Sequence, residues 1–564
     1  MFRSALICLA LALSVAAQAQ SYPTPTFKEV ITSNDIRFYG AVGDGTTDNT
    51  AAINNALTNA PGCVIIPAST NGFYVAGMIT VQRCMRGTVW NPSNTMLDLS
   101  NTSRILCNNQ VAQPCVVVRR NGQLAAQIEN VSLIGTNAGD ASAIPVAGAI
   151  GFQWQQGFNL ILTNFQSANF DSCAYFGPIV GSGNGPISAH MNNTMFGRCQ
   201  KHFVVDDGIP ELYFVNGRWG TDGASEYTTT DDFLYATKTT NYAAGDGPNS
   251  IIIDSVQMNA NYVGCPIRWG GFIASPIGVF LANKIANSHI EILDAGYTGS
   301  ATKGMFCVDN TVPFFPQIMA VNNTVLTDGG ASIHPLFNVS PTIKWNSPTY
   351  FTNNWLSAAS FTLTLSQVTA SAGPVFTNNY FPSSSTFTAG DTTATLSLTN
   401  NVFGPHTISG QWGNLFMADN IGAVTDNATG TIHESGGPFR AWTPTLSASG
   451  GGTFAYSAQT GTWFRTPLGG LSAWFNIGLT SVTAASGNIS ITGMPKNCTQ
   501  PSGAVAATTT GLTGLTGAPF LSWANGSAAI NLMQSSSTGL ANLTAANLTN
   551  TTSILGTVTC GDAS

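Results

Sequence analysis

Thr352-Asn353-Asn354-Trp355, Thr377-Asn378-Asn379-Tyr380, Thr399-Asn400-Asn401-Val402 and Ala418-Asp419-Asn420-Ile421 repeat one short pattern at intervals of 25, 22 and 19 residues. Each copy sets a large apolar residue behind a polar pair, as a β-strand does when it leaves a tight turn and sends its next side chain into a core. No single copy could bury that residue alone. Stacked as successive coils, the copies would cover one another and align their Asn side chains in a ladder, so the repeat points to a solenoid.

Earlier segments keep the rhythm less regularly: Asn192-Asn193, Asn216-Gly217, Asn283-Lys284 and Asn322-Asn323. The intervals of 67 residues from Asn216 to Asn283 and 40 from Asn283 to Asn323 require unmarked coils or loops projecting from the stack. At roughly 20 to 30 residues per coil and about 4.8 Å between stacked strands, residues 36–425 would form a rod roughly 60 to 90 Å long. A chain of 564 residues exceeds one ordinary globular core, and a solenoid escapes that limit.

Charged residues are 8% of the chain and hydrophobic residues 43%, which suits short strands between polar turns and argues against disorder. A net charge of −7 makes nucleic acid and anionic membranes poor partners. Residues 1–19 read as a secretory signal: Met-Phe-Arg, an apolar run from Ala5 to Ala17, and Ala17-Gln18-Ala19 as the cleavage site. That run is too short to span a bilayer, and no later one approaches the length needed. Cys8 lies in the signal, leaving ten cysteines, an even number that fits an oxidising compartment. Cys63 with Cys84, Cys107 with Cys115, Cys173 with Cys199, Cys265 with Cys307 and Cys498 with Cys560 are plausible pairs, although spacing leaves other connectivities open.

Residues 36–57 join a short strand to a Gly-rich turn and a helix, with Asp48 placed as N-cap and Ala51, Ala52, Ile53, Ala56 and Leu57 as its apolar stripe. Such an element would cover the open end of the first coil. The run Phe38-Tyr39-Gly40-Ala41-Val42-Gly43-Asp44-Gly45-Thr46-Thr47-Asp48-Asn49-Thr50-Ala51-Ala52-Ile53 resembles the opening motif of the pectate-lyase-like right-handed β-helix proteins, which include polysaccharide lyases, rhamnogalacturonases and phage tailspikes. In that family the motif is the entrance to the helix, so Asp44 and Asp48 are not carried over as catalytic. The segment from Ala441-Trp442-Thr443-Pro444 through Trp463-Phe464-Arg465 to Ile489-Ser490-Ile491-Thr492 resembles a C-terminal β-sandwich module of phage tail fibres and tailspikes, and Leu471–Leu479 alternates as a strand should.

The expected fold is therefore all-β: a right-handed parallel β-helix with an N-terminal capping helix, followed by a β-sandwich-like domain. The expected boundaries are a signal-like segment at 1–19, an extended leader at 20–35, the β-helix at 36–425, a Gly-rich linker at 426–440 and the C-terminal module at 441–564. The resemblance implies a tailspike- or tail-fibre-like protein, extracellular or on a virion, assembled as a homotrimer with other phage tail proteins as possible neighbours. It would recognise cell-surface polysaccharide and could also depolymerise it. A secreted pectate-lyase-like lyase or hydrolase and a non-catalytic fibre or adhesin are the alternatives.

Glycan hydrolysis needs two carboxylates, about 5 to 9.5 Å apart, one protonated and one ionised. In this acid-poor chain Asp206, Asp207, Glu211, Glu226, Asp231 and Asp232 gather where coil spacing stretches, with Arg218 among them. They are the candidate catalytic residues. Tyr213, Trp219, Tyr227, Arg268 and Trp269 are the candidate substrate contacts, because aromatic rings stack on sugars and Arg reads hydroxyls and carboxylates. Solvated turn acids beside half-buried aromatics would read the same way. No cofactor is expected; a lyase would need Ca²⁺ held by carboxylates such as Asp206 and Asp207, with Arg218 as base. No Cys/His cluster has zinc spacing, and no Gly-x-Ser-x-Gly elbow is present.

Overall fold

The structure is a computed structural model describing residues 31–91, 101–119, 125–137, 144–177, 186–206, 211–220, 232–237, 250–260, 265–270, 283–292, 305–312, 315–327, 336–339, 343–345, 349–357, 361–365, 368, 373–422, 424–435, 440–465, 471–494, 505–522 and 527–560. The signal-like segment and most of the extended leader lie outside these residues.

From Val64 to Ser435 the strands pair in parallel, each with the strand one coil further on, making a 33-stranded sheet wound on itself. This is the right-handed parallel β-helix expected. Helix Thr50–Asn59 covers the first coil, burying Ile53, Ala56 and Leu57; Ala51 and Ala52 are not buried. Its N-cap is Asn49 rather than Asp48, although Asp48 Oδ1 still accepts the Thr50 amide at 3.0 Å.

The repeat works through two adjacent residues with different duties. Asn130, Asn164, Asn193, Asn216, Ser255, Asn287, Asn322, Asn353, Asn378, Asn400 and Asp419 occupy one corner of eleven successive coils, each with φ between 50° and 58°. Asn and Asp tolerate that left-handed conformation better than other residues with a Cβ, so they turn the chain at low cost. The following Asn points inward. Asn323, Asn354, Asn379, Asn401 and Asn420 form a buried ladder in which each Asn donates its backbone N–H and one Nδ2–H to the Oδ1 of the next, at 2.9–3.1 Å. Each also donates to a backbone carbonyl: Asn379 Nδ2 to Phe351 O at 2.8 Å, Asn401 Nδ2 to Phe376 O at 2.8 Å.

Two expectations change here. The turn in the third of the earlier segments is Asn287, not Asn283, and the long interval holds a coil whose turn residue is Ser255. More consequentially, the large residue behind each pair does not enter the core: Trp355, Tyr380 and Ile421 are exposed and Val402 is partly so, while Leu356, Phe381 and Phe403, each one position after Trp355, Tyr380 and Val402, are buried. The second Asn already takes the inward position, and strand alternation then sends its successor outward.

The interior is a continuous hydrophobic column closed by stacked rings such as Phe351 on Phe376, 5.0 Å apart, and Phe381 on Phe403, 4.9 Å apart. Among the described residues four disulfides join Cys63 to Cys84, Cys107 to Cys115, Cys173 to Cys199 and Cys265 to Cys307, four of the five pairs that spacing made plausible. Cys498 lies outside the described residues.

Residues 426–435, expected as linker, are strand. Strand Val424–Ser435 adds a last coil in register from His406 opposite Val424 to Ala418 opposite Ser435, with Gly430 at φ 93° taking up an irregularity. Beyond residue 439 the pairing turns antiparallel. Arg440–Trp442, Thr453–Arg465, Leu471–Thr483, Ser553–Cys560 and Thr508–Thr510 form one sheet. Thr445–Ala448, Ile489–Thr492, Ile530–Ser536, Pro519–Ser522 and Val505–Ala506 form another, and the two enclose a separate core including Phe475, Ile477, Ile491, Leu532 and Ile554. This is the sandwich expected after the β-helix.

Candidate functional site

The structure disperses the predicted site. Asp206 ends strand Lys201–Asp206, in the strand column that continues through Asp232–Thr237 and Ile267–Trp269. Glu211 and Tyr213 lie in strand Glu211–Val215, and Arg218 in Arg218–Gly220, on the two columns either side of the left-handed corner. Asp207, Glu226, Tyr227 and Asp231 lie outside the described residues.

Trp219 and Trp269, expected as substrate contacts, are instead buried in the core, Trp219 with its ring 4.8 Å from that of Phe214. Neither can stack on a sugar. Their neighbours Arg218 and Arg268 are partly exposed, and adjacent residues of a strand face opposite ways. Tyr213 is half-buried and stacks on His190 of the preceding coil, with centroids 4.7 Å apart and planes 2° from parallel. Glu211 is exposed. Asp206 is fully buried and accepts a hydrogen bond from Tyr175 Oη. Among the described residues no group of three or more His, Cys, Asp or Glu could hold a metal.

Two predicted residues do meet. Arg268 Nη1 lies 4.0 Å from Oδ2 of buried Asp232, and its Nε and Nη2 donate to Asp309 Oδ2 at 3.1 and 2.6 Å. The guanidinium also sits 5.2 Å above the Tyr235 ring. Burial works against the Arg268 charge, but the hydrogen bond to Asp309, with Asp232, Asp309 and Tyr235 nearby, more than offsets it and raises its pKa. Gly270 makes room for this: a Cβ there would collide with the Asp309 carboxylate. Asp309 had no signal in the sequence, being 41 residues from Arg268. The cluster clamps three coils with its charges engaged on one another.

A different surface has the form of a binding site. On the outer face of the first C-terminal sheet, register places Thr460 beside Asn476, Asn476 beside Leu555, and Thr462 beside Trp474, itself beside Thr557. These residues line an open concavity of about 420 Å³ with Gly461 and Thr508. Trp474 is 38% exposed and rests on Phe464, centroids 5.4 Å apart and planes 22° from parallel. No ionisable side chain lines the concavity. A flat indole beside hydroxyl and amide groups can pack on an apolar sugar face while hydrogen bonding to hydroxyls. The alternation of Leu471–Leu479 was the available signal for Trp474, since Ala473 and Phe475 are buried.

No helix among the described residues is long and apolar enough to cross a membrane. No family model matches the chain. No curated protein matches it either. Among solved structures it is similar to the Dettilon tailspike protein, at 12% identity over 93% of each chain and a TM-score of 0.44. It is also similar to DFA-IIIase from Arthrobacter chlorophenolicus A6, at 11% identity over 72% of this chain and 87% of the other, TM-score 0.36. PfbA, a surface adhesin of Streptococcus pneumoniae, aligns at 13% identity over 75% of this chain and 97% of the other, TM-score 0.34.

Proposed function

We propose that this protein is an extracellular or virion-borne recognition rod for cell-surface polysaccharide, of tailspike or tail-fibre type, assembled as a homotrimer. The observation that carries the recognition is the uncharged concavity built on Trp474, Asn476 and the surrounding threonines. Its chemistry suits neutral sugar rings. Binding is favoured over depolymerisation because Asp206 is engaged with Tyr175 and Asp232 with Arg268, which leaves Glu211 as the exposed acid among the described residues of the predicted region.

The test is binding of the full chain to capsular, lipopolysaccharide and pectic glycans, compared with Trp474→Ala. Stacking on one aromatic ring contributes about 1 kcal/mol or more beyond area burial, so the variant should bind at least about fivefold more weakly. Equal binding by both proteins removes the concavity from the function. New reducing ends or unsaturated-uronate absorbance on any of these glycans would establish cleavage instead.

A further inference from the structure

From residue 159 to 435, every large hydrophobic side chain among the described residues that is exposed lies in two strand columns: Met319, Tyr350 and Phe416 in one, Trp355, Tyr380 and Ile421 in the other. The first column runs Met319, Tyr350, Val375, Ser397, Phe416, His433. The second runs Thr324, Trp355, Tyr380, Val402, Ile421. They flank the corner formed by Asn322, Asn353, Asn378, Asn400 and Asp419. At about 4.8 Å per coil, Met319 to Phe416 makes a stripe roughly 20 Å long. Within it neither column carries an acid or a base until His433.

Concentrated exposed apolar surface marks an interface, and three features of this one identify what it meets. The rings meet along the rod axis, Trp355 tilted 53° against Tyr380 with centroids 4.8 Å apart and Phe416 stacked on His433 at 4.7 Å with planes 10° apart, so the apolar surface runs from coil to coil along the rod. A chain of net charge −7 packs against its own copy with least repulsion where acids are few: neither column carries one, and the corner between them carries a single acid, Asp419, at its last coil. Finally, the two columns lie on opposite sides of a convex corner. A twofold contact through one flank would leave the other exposed, whereas a ring of parallel copies sets one flank of each rod against the other flank of the next and covers both. Identical coil spacing then keeps the facing columns in step.

We infer that the corner from Asn322 to Asp419 faces the axis of a closed ring of parallel copies, with Trp355, Tyr380 and Ile421 of each copy packed on the Met319, Tyr350 and Phe416 flank of its neighbour. This rests on the homotrimer proposed above and names the face that makes it. Concave-face glycan binding at Trp474 is a separate surface.

Light scattering of the full chain after size exclusion tests the inference. The wild type should have three times the chain mass. Trp355→Lys and Ile421→Lys, each at a residue more than half exposed, should be monomeric with an unchanged far-ultraviolet circular dichroism spectrum. Leu540→Lys, at an exposed apolar residue of the C-terminal module, and Trp474→Ala should both remain assembled. A monomeric wild type overturns the inference, as does an undiminished mass in whichever of the two stripe variants keeps its spectrum. Loss of glycan binding in Trp474→Ala with the assembly intact bears on the recognition proposal alone.

Discussion

Replacing Asn379 by alanine is the sharpest test of the buried ladder. The Asn379 side chain makes four hydrogen bonds: Oδ1 accepts from Asn354 N at 3.0 Å and Asn354 Nδ2 at 2.9 Å, and Nδ2 donates to Phe351 O at 2.8 Å and Asn401 Oδ1 at 3.0 Å. Its residue is 1% exposed, so water cannot replace them. Removal strands the Asn354 amide and one hydrogen of the Asn354 side chain, and deprives two acceptors of a donor. At about 1 to 3 kcal/mol for each buried group left unsatisfied, Asn379→Ala should cost about 3 to 6 kcal/mol. The neighbouring Asn378→Ala faces a different penalty. Asn378 turns the corner at φ 55°, and alanine in that region costs about 1 to 2 kcal/mol, while glycine adopts it freely. The expected order of destabilisation is therefore Asn379→Ala, then Asn378→Ala, then Asn378→Gly. Urea unfolding monitored by tryptophan fluorescence ranks the three, and hydrogen exchange over residues 349–381 localises the loss. If Asn378→Ala proves the costlier variant, or Asn379→Ala shifts stability by less than about 1 kcal/mol, the ladder is not what holds the coils in register.

Acid should weaken the rod between pH 6.5 and 3. Burial pushes His202 down to about 3 and His406 down to about 4 from an ordinary 6.5, so the unfolded chain binds more protons than the folded one in that window. Their contribution is complete above the ordinary value and is lost as pH falls, by about 2 kcal/mol for each at pH 5. Urea midpoints measured at pH 7 and pH 5 should differ less in His202→Leu than in wild type; an identical pH dependence would exclude His202 as a source. At the end of the rod, Arg440 Nη2 donates to Glu434 Oε1 at 2.8 Å and the guanidinium lies 4.7 Å over Trp463, with both side chains of the pair buried. Glu434→Gln should cost about 3 to 5 kcal/mol by leaving the arginine uncompensated, whereas Glu434→Leu with Arg440→Met should recover most of it. A double-mutant cycle in thermal unfolding measures this, and additive effects would show that the pair is not coupled.

Much of the scaffold was readable because its cause is local. Asn at the corner tolerates positive φ whatever surrounds it, cysteines about one coil apart can bridge adjacent coils, and alternation in Leu471–Leu479 marks a strand before any partner is known. The site was harder. Trp219 and Trp269 have the chemistry of sugar contacts, although each follows an arginine on a strand, and alternation allows only one of such a pair to face outward. Asp309 could not be found, since its approach to Arg268 depends on coils of unequal length bringing distant residues onto adjacent strands.

The sequence by itself determined where the chain turns and that its coils must stack, because an Asn pair specifies a corner and a buried hydrogen-bonding position within two residues. Tertiary structure alone decided which surface each coil shows. One position of strand phase separates Trp355 from Leu356, and that phase is set by which Asn enters the ladder. It moved the large residues of the repeat from the interior, where their hydrophobicity suggested they belonged, to an exposed stripe along the rod.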